Sequence, residues 1–181
     1  MFKIFLDTEF TGLKQNSSLI SIAFVAESGE EFYAEFTDYD KNGLSDWIIN
    51  NVISNLFLND DNQKRTLNKM HVKGNRQEIK SALLIWLDQF CKNDDCIQIW
   101  ADVPAYDWVL FCELFGGALN VPKQIHFMPM DLATFLFAKG VDYIEDRINL
   151  LDKSKLPIGQ QHNALFDAKV GFECLMKYME K

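Results

Sequence analysis

Apolar residues alternate or cluster in three short segments near the start of the chain: FKIFLDTEF (2–10), LISIAFVAES (19–28) and EEFYAEFT (30–37). Their Ile, Val and Phe content predicts three β-strands, and the SGE between the second and third predicts a tight turn. The period then changes. SDWIINNVISNLF (45–57) has helical spacing behind Ser45, a residue suited to capping a helix. Residues 59–75 are polar and read as loop. In NRQEIKSALLIWLDQFC (75–91), Ile79, Leu83, Trp86, Leu87 and Phe90 recur at helical intervals. CIQIWA (96–101) predicts a fourth strand, and AYDWVLFCELFGG (105–117) a helix stopped by Gly116 and Gly117. MDLATFLFAKG (130–140) predicts a shorter helix with Asp131 as cap and Gly140 as stop, and a last helix runs from about Asn163 to Met179. Three strands followed by alternating helix and strand predict an α/β fold with a mixed sheet. With no repeat, low-complexity tract or linker, residues 1–181 read as one domain.

Composition narrows the class. No apolar run reaches the roughly 18–20 residues that span a bilayer. The start, MFKIFLDTEF, lacks the charged, apolar and small-residue order of a secretory signal. A cytoplasmic protein with no membrane association is therefore expected. Cys91, Cys96, Cys112 and Cys174 show no CxxC spacing and are expected as free thiols. A zinc site on Cys91, Cys96 and a histidine is the alternative. The net charge of −8 argues against sequence-blind binding along nucleic-acid backbones, which needs clustered Lys and Arg. It leaves room for an enzyme that grips phosphate through bound metal cations.

Three acidic features remain. Asp7 and Glu9 are two apart on a strand and so share a face in a largely apolar segment. Ionised carboxylates there repel each other and are costly to desolvate unless a cation binds them, although a solvated strand end would also accommodate them. Asp107 lies near the start of a helix that is apolar on nearly every face; it is either an early-turn acid favoured by the helix dipole or a functional group. In HNALFDA (162–168), His162 precedes the last helix and Asp167 lies within it. At roughly 100° per residue the two do not share a helix face, so they converge only if His162 turns in from the preceding loop. A cap or surface role for His162 is the other reading.

In order along the chain, DTEFTGL (7–13), YDWVLF (106–111) and HNALFDA resemble the three exonuclease motifs of the DEDDh 3′→5′ exonucleases. That family includes the proofreading subunit of bacterial DNA polymerase, oligoribonuclease and ribonuclease T. AYDWVLFCELFGG looks closest to its small single-domain bacterial exoribonucleases. The resemblance implies a ribonuclease-H-like fold, a mixed sheet with its first three strands antiparallel and helices on both faces. It also implies that Asp7, Glu9, Asp107 and Asp167 hold two divalent cations, Mg²⁺ or Mn²⁺. Two such cations roughly 4 Å apart activate a water and stabilise both the attacking and leaving oxygens of an in-line displacement, and hard cations take oxygen ligands. His162 is implied as general base, a task that suits an imidazole because it ordinarily titrates near neutral pH.

The expected reaction is hydrolysis of the terminal phosphodiester of RNA, releasing nucleoside 5′-monophosphates. Single-stranded DNA 3′ ends are the alternative substrate, and a non-catalytic nucleic-acid-binding module the alternative of another class. By the same resemblance, Thr11 and the Gly12 backbone meet the terminal sugar and Leu13 packs on its base. Phe10 stands where the family usually has Thr, and reads as a stacking surface or as core. Trp108, beside Asp107, reads likewise. Val103 stands where many members carry an Asn. Asp131 is read as a helix cap and not a metal ligand, and His71 and His126 have no partners at useful spacing. Several small relatives pair, so a homodimer is also expected, with the Trp- and Phe-rich helices as its interface.

Overall fold

The computed structural model describes residues 1–59, 63–91, 93–94 and 96–180. β1 (Phe2–Phe10), β2 (Leu19–Ala26) and β3 (Glu31–Phe36) form an antiparallel meander. β4 (Lys64–Arg65), β5 (Lys69–Gly74), β6 (Ile97–Ala101) and β7 (Met130–Asp131) complete one sheet in the order β4-β5-β3-β2-β1-β6-β7. β5 runs parallel to β3, β6 parallel to β1 and β7 parallel to β6, so the sheet is mixed as expected.

The helices are α1 (Asp46–Asn51), α2 (Arg76–Leu87), α3 (Ala105–Leu114), α4 (Leu132–Ala138) and α5 (Ala164–Met179). Ser45 caps α1 by accepting from the Ile48 N–H, and Asp131 caps α4 by accepting from the Ala133 and Thr134 N–H groups. α1 is shorter than predicted, because the chain tightens into a 3₁₀ turn at Ile53–Asn55.

One face of the sheet packs Ile4, Leu6, Phe24 and Phe32 against Trp86 of α2 and Phe111 of α3. The other packs Phe5, Tyr33 and Trp100 against Leu136 of α4 and Leu165 of α5. Between Glu9 and Phe10 the β1–β2 register shifts, since Glu9 pairs with Ser21 and Phe10 with Leu19. Ile20, the extra residue, packs with Ile48 and Val52 and so seats α1 beside the end of β1. Such a bulge bends its strand and re-aims the side chains next to it.

Three expectations are corrected. Residues 59–75 are not all loop: β4 and β5 lie within them, while 60–62 fall outside the described residues. β5 hides in the sequence because Lys69 and Lys73 are exposed and it is held by pairing with its neighbours β3 and β4. Cys91 and Cys96 are not free thiols but a disulfide, their Cα atoms 6.6 Å apart, whereas Cys112 and Cys174 are free and buried. The bond lies beside Phe2 at the end of β1 away from Asp7 and Glu9, the Phe2 N–H donating to the Cys96 carbonyl. His71 does have a partner, its Nε2 lying 3.0 Å from Glu31 Oε1. Glu31 also meets Lys69 and Lys169, and hydrogen bonds from these three groups outweigh burial and hold its pKa down at about 2.

Candidate active site

Alternation along β1 divides its residues between the two cores. Phe5, Asp7 and Glu9 point toward α5, while Ile4, Leu6 and Thr8 point toward α3. Asp107, in the first turn of α3, accepts at Oδ1 from the Thr8 N–H at 3.0 Å and from the Thr8 hydroxyl at 2.6 Å. Thr8 thus ties the α3 carboxylate to the strand that carries the other two acids.

At α5, Asn163 caps the helix by accepting from the Leu165 and Phe166 N–H groups. His162 is therefore the last loop residue, with a left-handed backbone (φ 63°). Its N–H donates to Asp167 Oδ2 at 2.7 Å. That turn resolves the spacing problem posed by HNALFDA, for it folds His162 back over the helix. One ligand atom each from Glu9, His162 and Asp167 lies within 4.8 Å of the others. The His162 ring also meets Trp47 of α1 edge to face, with centroids 4.8 Å apart.

The loop beneath His162 is pinned from two sides. Asn55 donates to the Gln161 carbonyl at 2.8 Å, and Asn163 donates to the Asn55 carbonyl at 3.0 Å and to the Tyr33 hydroxyl at 3.1 Å. Tyr33 in turn donates to Glu35 at 2.9 Å, and Glu35 also accepts from the Phe57 and Leu58 N–H groups.

The carboxylates are held away from their ordinary titration range. Burial above all, then repulsion from Asp107, Asp167, Glu9 and Asp102, raises Asp7 well above it. Burial, with Asp167 and Asp107 adding repulsion, pushes Glu9 up to about 8. Asp167 rises to about 7 through burial, opposed by the His162 N–H and reinforced by Asp146. Asp107 rises to about 6 for the same leading reason, opposed by its Thr8 hydrogen bonds and reinforced by Asp102. Crowded, desolvated carboxylates are what a divalent cation relieves, and the four carboxylates offer the oxygen ligands that Mg²⁺ or Mn²⁺ prefers.

Two cavities flank the Glu9–His162–Asp167 cluster. One, of about 450 Å³, is lined by Asp7, Asp102, Tyr143, Arg147, His162 and Asp167. The other, of about 530 Å³, is lined by Glu9, Phe10, Gly12, Leu13 and Trp47. Phe10, Gly12 and Leu13 thus share one cavity beside Glu9. Phe10 also stacks on Tyr106, with centroids 5.5 Å apart. Thr11 borders this cavity in sequence, but its hydroxyl accepts from the Ser18 N–H and closes the loop. Trp108 does not join the site. It packs on Phe111 and lines a separate cavity with Leu119 and Phe127, on another face of α3.

Trp47, Thr8, Asp102 and Arg147 were missed from sequence. An indole two residues after the α1 cap was a usable signal for Trp47. Nothing local marked the Arg147–Asp102 pair, which joins residues 45 apart at 3.0 Å.

The fold is shared with solved nucleases. Cell-death related nuclease 4 (CRN-4) superposes with a TM-score of 0.65 at 14% identity, covering 99% of this chain and 64% of that one. The nuclease domain of 3′hExo, a DEDDh family member bound to rAMP, superposes with a TM-score of 0.62 at 14% identity, covering 99% of this chain and 92% of that one. The fold is thus one that solved nucleases share, a DEDDh family member among them. In sequence, the chain is 33% identical over 169 residues to 3′-5′ exoribonuclease Rv2179c of Mycobacterium tuberculosis (strain ATCC 25618 / H37Rv), covering 92% of this chain and 87% of that protein. It belongs to the 3′-5′ exoribonuclease Rv2179c-like domain family, whose pattern it matches over residues 2–179. It is thus a 3′→5′ exonuclease.

Proposed function

We propose that this chain, acting as one catalytic unit over residues 1–181, removes nucleoside 5′-monophosphates from the 3′ ends of RNA. Asp7, Glu9, Asp107 and Asp167 are the ligands of two divalent cations, Mg²⁺ or Mn²⁺, and His162 is the general base. The observation that carries this reading is the convergence of Glu9, His162 and Asp167 within 4.8 Å, beside the half-buried Asp7 and the buried Asp107. The choice of RNA follows the name borne by the curated relative.

In the reaction a water oxygen bonds to the terminal phosphorus, and the bond from phosphorus to the preceding 3′ oxygen breaks. His162 takes the proton from the water, and the departing 3′ oxygen gains one. When bound, the cations activate that water and stabilise the charge on the attacking and leaving oxygens. The left-handed turn at His162 and the pinning by Asn55 and Asn163 hold the imidazole in place, so less orientational freedom is lost on reaching the transition state. Thr8 holds Asp107 against β1, the strand that carries Asp7 and Glu9. Phe10, Thr11, Gly12 and Leu13 seat the terminal nucleoside. The location proposed is the cytoplasm; among the described residues no helix is long and apolar enough to cross a membrane.

Asp7→Ala and Asp167→Ala test the assignment. Each should abolish cleavage of a single-stranded RNA oligonucleotide while leaving the circular dichroism spectrum unchanged. Wild-type rates in either variant would overturn it. Matched RNA and DNA oligonucleotides digested in parallel read the sugar preference.

A further inference from the structure

The cavity lined by Asp7, His162 and Asp167 does not end at the acids. It continues into a groove of about 550 Å³ through walls that both share: Val103, Tyr143 and Ile144. The far wall is Thr134 and Phe137 of α4. Four apolar side chains stand open along it, with Val103 61%, Phe137 66%, Tyr143 46% and Ile144 79% exposed. None of them belongs to the packed core on either face of the sheet. The Phe137 and Tyr143 rings meet edge to face at 5.5 Å, which holds both at the groove wall.

We propose that this groove binds the bases of single-stranded RNA immediately upstream of the scissile phosphodiester. The inference rests on the active-site reading above and adds a second binding site to it. Sidedness carries the argument. The Glu9–His162–Asp167 cluster stands between the Phe10–Leu13–Trp47 cavity and the Asp7 cavity. With the reacting phosphate at the cluster and the terminal nucleoside in the first cavity, the remaining strand leaves through the second. That exit opens onto Tyr143 and Phe137.

The chemistry fits bases better than phosphates. Among the residues lining the exit cavity and the groove, Arg147 is the lone Lys or Arg, and its guanidinium is engaged with Asp102 and the Glu145 carbonyl. Aromatic rings accept the face of any base, so the grip is tolerant of sequence and requires a single strand.

The test is kcat/KM for RNA from dinucleotide to hexanucleotide, with wild type, Phe137→Ala and Tyr143→Ala, each checked for folding by circular dichroism. In wild type, kcat/KM should rise roughly tenfold for each base seated. The rise should flatten in both variants. An abasic site second or third from the 3′ end should flatten it in wild type and change nothing further in the variants. Fluorescence anisotropy of a labelled hexanucleotide on Asp7→Asn reads the groove without turnover, and adding Tyr143→Ala should weaken binding roughly tenfold.

A flat length profile in wild type would overturn the proposal, as would a rise that survives in both variants. So would a homodimer that Ile144→Asp dissociates, since a second copy of the chain would then occupy the groove. Failure of the active-site reading looks different: wild type would cleave no length at all.

Discussion

Thr8 lies between the two acids of β1 yet faces away from them, and from that side it holds Asp107 with both its N–H and its hydroxyl. Groups that orient metal ligands set metal affinity almost as strongly as the ligands do. Thr8→Val keeps the strand and removes the hydroxyl. It should weaken Mn²⁺ binding by roughly 10–100-fold in calorimetry; unchanged affinity would show that the backbone N–H suffices. His162→Asn should separate base from ligand, lowering kcat by roughly 10²–10⁴-fold. Mn²⁺ should still bind through the carboxylates.

The raised acids give stability a definite sign with pH. Glu9 at about 8, Asp167 at about 7 and Asp107 at about 6 keep protons in the folded, metal-free protein that the unfolded chain, with carboxylates near 4, has already released. Stability in EDTA should therefore fall as pH rises from about 5 to about 8. Added Mn²⁺ should restore most at the alkaline end, where its ligands are deprotonated. Thermal melts check this, and a melting temperature that rises with pH in EDTA would contradict it. At this scale the sequence showed the acids and left their holders hidden. Alternation alone paired Asp7 with Glu9, whereas Thr8 facing Asp107 needs two elements brought together from 99 residues apart.

α5 is the element that brings His162 and Asp167 to β1. Gly171 sits where α5 crosses Phe5, and a Cβ there would overlap the Phe5 ring. The next residues of β1 on that face are Asp7 and Glu9. Gly171→Ala should thus lower stability by about 1–3 kcal/mol, the usual range for overpacking. It should reduce activity by more than the unfolded fraction explains, because the helix carrying Asp167 is displaced from the strand carrying Asp7. Chemical denaturation beside kcat measures both, and full activity in the folded fraction would contradict the coupling. Strands and helices with strong periods were legible from sequence. β5 was not, since its exposed lysines mask a strand held by pairing with β4 and the distant β3, and neither was the Cys91–Cys96 bond, whose spacing matches no motif.

The whole molecule carries a net charge of −8 and binds a polyanion. With base stacking and bound cations doing most of the holding, RNA affinity should depend on salt less steeply than for a basic RNA-binding protein, whose affinity follows counterion release. Anisotropy titrations between about 50 and 200 mM salt read the slope directly. Pairing of two copies, expected from the resemblance, is tested by light scattering, where a mass for one chain alone would contradict it.

The central claim is that these acids act together as a metal-dependent site at RNA 3′ ends. The most direct test is a 5′-labelled single-stranded RNA oligonucleotide incubated with wild type in Mg²⁺, in Mn²⁺ and in EDTA, beside Asp7→Ala. The expected result is a ladder that shortens one nucleotide at a time from the 3′ end in either metal, and is lost in EDTA and in the variant. Intact RNA in both metals, or a ladder that persists in EDTA, would contradict the claim.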